Sequence, residues 1–97
     1  MRPVTLADLE MALRVLLQVD ARSQAEMASA LVARAHQADA FRQDKGQGHP
    51  RYGTGTLMSA AMSYPVAPRP DWVRLAELRS FQFLLSALEA HFQHHER

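Results

Sequence analysis

All four glycines of this 97-residue chain fall between positions 46 and 55, as Gly46, Gly48, Gly53 and Gly55. Glycine frees the backbone and weakens helices. Its confinement to one stretch therefore splits the chain into regular segments on either side of a single irregular one. A second interruption, "YPVAPRP" at 64–70, carries three prolines and reads as an extended connector that no helix can enter.

The regular segments have helical periodicity. Residues 5 to about 18 place Leu6, Leu9, Leu13, Leu16 and Leu17 on one face and Glu10, Arg14 and Gln18 on the other. Thr5 with Asp8 makes a capping box at their start. A second helix is expected over 24–45, with Ser23 and Glu26 as its capping box and Gly46 as the left-handed residue that ends it. Its apolar stripe, Met27, Leu31, Ala35, Ala38 and Phe41, is rich in alanine, so a neighbouring helix can approach closely. After a loop over 46–55, "TLMSAAMS" predicts a short helix over 56–63, capped by Thr54 or Thr56. The last helix is expected from Asp71 to about His94.

That last helix carries two apolar stripes. One holds Leu78, Phe81, Leu85, Leu88 and Phe92; the other holds Trp72, Ala76, Phe83, Leu84 and Ala87. Arg79, Gln82, Ser86, Glu89 and Gln93 form the polar wedge between them. A helix apolar on most of its circumference is central in a core or shared with a partner. The expected fold is all-α: one domain over 1–97, a small bundle of three long helices and one short one. The last helix is expected to be central or at a dimer interface, with Trp72, Ala76, Phe83, Leu84 and Ala87 as the candidate interface residues.

The glycine stretch is the candidate site. "GTGT" leads into a helix start, whose N–H groups and partial positive charge suit an anion. Arg42, His49, Arg51, Tyr52, Gly53, Thr54 and Gly55 are the residues such a site would use, with the two arginines adding charge-assisted contacts. The competing reading is a structural corner, in which His49-Pro50 starts a turn and Tyr52 packs on the core. The GxxxxGK[ST] pattern of a P-loop is absent.

Within this stretch "HPRYGTGTLMSAA" at 49–61, together with "MRPV" at 1–4 and "ADAFR" at 38–42, resembles a family of small alphaproteobacterial proteins built on a domain of unknown function. The resemblance covers most of residues 1–70 and is weaker over the last helix. It implies a bacterial cytoplasmic protein and that 49–61 acts as one unit. It brings no activity, ligand or catalytic residue.

Other chemistry is sparse. Eleven Lys and Arg against ten Asp and Glu give a net charge of +1, too balanced for a nucleic-acid binder. The absence of cysteine excludes disulfide and thiolate chemistry. The N-terminus has no apolar signal core, and the apolar runs are too short to span a membrane; a cytoplasmic protein is expected. His91 with His94 or His95 has the spacing of a ligand pair, but an exposed polar helix end whose cationic forms suit the helix dipole is the favoured reading and no buried carboxylate supports a metal, so no metal and no cofactor is expected. His36, Asp39 and Arg42 share a helix edge; no Ser, Cys or second carboxylate completes a catalytic set, and Asp39 or Arg42 is expected to pin the 46–55 loop. The functional expectation is a non-enzymatic interaction or regulatory module with a protein partner or a second copy. A small-anion or nucleotide module built on the loop is the alternative.

Overall fold

The computed structural model describes residues 1–95. Among them are four α-helices and no strand: α1 Leu6–Leu16, α2 Gln24–Lys45, α3 Leu57–Ala61 and α4 Leu75–His95, with a 3-10 turn Ala21–Ser23 before α2. No helix among the described residues is long and apolar enough to cross a membrane.

The core is built by α1, α2, α3 and the inner face of α4, and it is rich in alanine. Ala12, Ala28, Ala35, Ala60 and Ala61 are fully buried beside Leu16, Leu31 and Leu57. Small side chains at these contacts let the helix axes come close without leaving voids. α4 packs against α2 and α1. Its buried residues are Glu77, Ser80, Leu84 and Leu88.

The helix ends follow local chemistry. Thr5 and Asp8 form the expected capping box of α1. Gly46, at φ 75°, ends α2 and donates to the carbonyl of Arg42. Thr56 caps α3 through the Ser59 N–H. The expected Ser23 cap of α2 does not form. Ser23 belongs to the 3-10 turn and is already αR, so its side chain cannot reach back as an extended N-cap does; Asp20 caps that turn instead. α4 starts four residues later than expected, because Trp72 turns to φ 64° and the Glu77 carboxylate folds back to accept from the N–H groups of Asp71 and Trp72 at 3.2 and 2.9 Å.

Two polar devices tie the helices together. Gln24 is buried at the α1–α2 joint, donating to the Leu16 carbonyl at 2.9 Å and accepting from Ser80 of α4 at 2.7 Å. The proline connector runs back along α1, whose Glu10, Arg14 and Gln18 hold it. Arg14 donates to the Ala67 carbonyl at 2.7 Å, Gln18 to that of Val66 at 3.0 Å, and Glu10 accepts from Arg69 at 2.9 Å.

Candidate functional site

The glycine stretch folds into a closed corner. His49 and Gly53 exchange backbone hydrogen bonds of 2.7 and 3.2 Å. The Nδ1 atom of His49 accepts from the N–H groups of Arg51 and Tyr52 at 3.0 and 3.1 Å, so it holds a lone pair and the ring proton sits on Nε2. Thr54 donates to Ser59, and Ser63 donates to the Arg51 carbonyl. The N–H groups of Arg51, Tyr52, Gly53 and Thr54 are spent inside the corner.

The start of α3 is occupied in the same way. Asp8 Oδ1 accepts from Met58 N–H at 2.8 Å, while its Oδ2 accepts from the backbone and hydroxyl of Thr5, each at 2.8 Å. One buried carboxylate therefore serves two helix N-termini. The anion expected at "GTGT" is supplied by the chain itself.

The loop packs against Asp39 rather than Arg42, through the close approach of Gly55 and not through a hydrogen bond. Gly55 sits at φ 98° with its Cα hydrogens directed onto α2; a Cβ there would lie 2.7 Å from Asp39 Cα. Asp39 also pairs with the Met1 ammonium at 3.3 Å and accepts from Gln43 at 3.0 Å. Arg2 N–H donates to the Gly55 carbonyl, which fastens the N-terminal segment to the same point. Arg42 is exposed, and its carbonyl serves only as the acceptor for Gly46.

What the corner delivers to the surface is an aromatic and cationic stack. Tyr52 stacks on His49 at 4.8 Å, and Phe41 meets His49 edge-on at 5.0 Å. Arg34 of α2 lies 5.5 Å from the Tyr52 ring centre and 5.3 Å from that of Tyr64; Arg51 lies 5.7 Å from Tyr52. Arg34 and Tyr64 escape a sequence reading. The one signal was Arg34 itself, a long cation at the edge of an alanine-rich stripe.

The interface residues expected on α4 separate. Leu84 is fully buried in the chain's own core and cannot face a partner, and Ala87 is half-buried against that core. Ala76 is exposed, and Trp72 and Phe83 remain 45 and 38% exposed, with Trp72 edge-on to Phe81. The other stripe also leaves Leu78, Leu85 and Phe92 uncovered, with Leu75 ahead of them, while its Leu88 is buried.

At the far end of α4, His91 and His95 meet His36 of α2. Ring centres are 4.9 Å apart for His36–His91, 4.4 Å for His36–His95 and 4.5 Å for His91–His95. His94 is exposed and lines the groove beside them. Among the described residues no group of three has the arrangement to hold a metal ion; Glu96 lies outside them. Burial holds His36 below its ordinary 6.5, helped by the Met1 ammonium and His95 and opposed by Asp39. Burial likewise lowers His91, followed by its neighbours His95 and His36 and the ammonium.

The chain belongs to the family described as Domain of unknown function (DUF7742), which matches residues 2–88. The match takes in the corner, the connector and most of α4. No curated protein and no solved structure matches the chain.

Proposed function

We propose that the protein is a small cytoplasmic interaction module without catalytic activity, pairing with a second copy of itself through α4. The observation that carries this reading is the row Leu78, Leu85 and Phe92. These residues are spaced by seven and are 46, 43 and 43% exposed, on a helix whose inner face is already committed to the core. Seven-residue spacing keeps a row straight along a helix that packs on another at a shallow angle. Excluding water from such a row contributes about 25 cal/mol for each Å² of apolar surface covered.

The choice of a second copy rests on symmetry: a straight apolar row on one helix is complementary to itself, so the same row of another chain covers it in a two-fold pairing. Against catalysis, the groups that could act as acids, bases or nucleophiles near the corner are already engaged. His49 Nδ1, Ser59, Ser63, Asp8 and Asp39 all hold backbone or the N-terminus.

Light scattering tests the pairing. Wild type should give a mass near twice 10.9 kDa, and Leu85→Glu should return it to the single-chain value while still melting cooperatively, at a temperature lowered only by the lost association. Leu84→Ala should do the reverse, costing about 2–5 kcal/mol of stability through the buried cavity it opens. A wild type of single-chain mass at every concentration overturns the reading.

A further inference from the structure

We propose that the groove beside Arg34 binds a phosphoryl group carried on an apolar or aromatic body. The groove is about 390 Å³ and is lined by Ser23, Glu26, Met27, Ala30, Arg34, Arg51 and Tyr64. It lies on α2 and the corner, away from the α4 row, so the inference stands independently of self-pairing.

Two guanidinium groups converge there. Both flank the ring of Tyr52, which sets the two charges within about 11 Å of each other, near a Debye length at ordinary ionic strength. Neither has a carboxylate within 4 Å among the described residues, whereas the exposed Arg69, Arg74 and Lys45 each do. An anion seated between two cations that lack a counter-ion is attracted by both.

The arginines are also oriented. Arg34 lies over the rings of both Tyr52 and Tyr64, at 5.5 and 5.3 Å. A guanidinium engaged with aromatic rings can still fork its N–H groups onto a phosphoryl group. Arg51 is held through its backbone. Its N–H donates to His49 and its carbonyl accepts from Ser63, so its side chain is uncommitted while its position is fixed. The corner built by the glycines thus serves to aim Arg51 and Tyr52 at Arg34.

The rest of the lining defines the other part of the ligand. Met27, Ala30 and Tyr64 form an apolar wall. Glu26 lies eight residues before Arg34 on α2, about 12 Å along the helix, and keeps a second anion from that end. The phosphoryl group therefore lies at the arginine end, with its apolar body along α2 toward Met27.

Calorimetric titration with phenyl phosphate tests this, with inorganic phosphate and phenylacetate as comparisons. Wild type should bind phenyl phosphate saturably, more tightly than either comparison. Arg51→Gln, an exposed change whose fold is checked by its melting curve, should weaken binding about 10-fold or more, the loss of one charge-assisted bond. Arg34→Gln should do the same; should it unfold the chain, Arg51→Gln decides alone. Absence of saturable binding by wild type, or equal affinity in folded Arg51→Gln, overturns the site. Phenylacetate binding as tightly as phenyl phosphate overturns the phosphoryl assignment. Light scattering of Arg51→Gln should match wild type, which separates failure here from failure of self-pairing.

Discussion

Replacing Asp8 should nearly unfold the protein, although it touches neither the corner's glycines nor α4. Its carboxylate is 3% exposed and accepts three hydrogen bonds of 2.8 Å, from the backbone and hydroxyl of Thr5 and from Met58 N–H fifty residues away. A hydrogen bond to a charged group is worth about 1.5–3 kcal/mol net. Carboxylate charge at each helix N-terminus adds about 0.3–1 kcal/mol. Because the contacts share one carboxylate they do not simply add, and Asp8→Ala should cost about 4 kcal/mol. Asp8→Asn keeps the shape and an acceptor and should cost about half that. Domains of this kind have about 5–15 kcal/mol in total, so the alanine variant stands close to the unfolding limit. Urea denaturation gives the answer as a fall in midpoint at constant slope, on the order of 2–3 M for the alanine variant. Thr5→Ala supplies the control, since it removes only the α1 cap and should cost about 1 kcal/mol. An Asp8→Ala cost no larger than that of Thr5→Ala would refute the reasoning, because it would mean the carboxylate contributes nothing to α3.

Two further outcomes are expected. Gly55→Ala should destabilise by more than about 3 kcal/mol, since it adds left-handed strain to a 2.7 Å clash with the backbone of α2; Gly46→Ala, also at positive φ but facing open space, should cost about 1–2 kcal/mol, and equal midpoint shifts in urea would show that Asp39 does not back the loop. Stability should be level above pH 7 and fall as pH drops below about 6.5, because the unfolded histidines take up protons before His36 and His91, which the fold holds neutral. The loss is complete once pH is below the folded values, and His91→Gln should flatten the melting-temperature profile; a profile unchanged by that substitution would contradict the contact.

Much of the fold was legible because it rests on local rules. The Thr5–Asp8 box, the Gly46 terminus, the Thr56 cap and the bounds of α2 all follow from residues within four positions of one another. What was not legible depends on partners distant in the chain. Glu10, Arg14 and Gln18 have the spacing of a solvent-facing stripe, yet they grip the proline connector. Asp8 reads as a one-helix cap, and its second oxygen reaches α3. The two stripes of α4 cannot be ranked from periodicity alone. Leu84 belongs inside because Gln24 and Ser80 join beside that face, which fixes the rotation of the helix. The glycine stretch was recognisable as a special place, but its chemistry was not: the helix N-terminus that looks open to an anion is filled by a residue from α1, and the cation that completes the surface stack comes from the middle of α2.

The chain has no cysteine of its own, so a single introduced thiol reports on pairing without background. Leu85 is the centre of the row, and a two-fold pairing through α4 brings it close to its own copy, where cysteine still packs as a small apolar side chain. The most direct measurement is the yield of covalent dimer when Leu85→Cys is treated with a short bifunctional maleimide, set beside Gln47→Cys on the exposed corner. Self-pairing through α4 predicts rapid and nearly complete cross-linking at position 85, with little at position 47. Equal yields at the two positions, or none at 85, would contradict it.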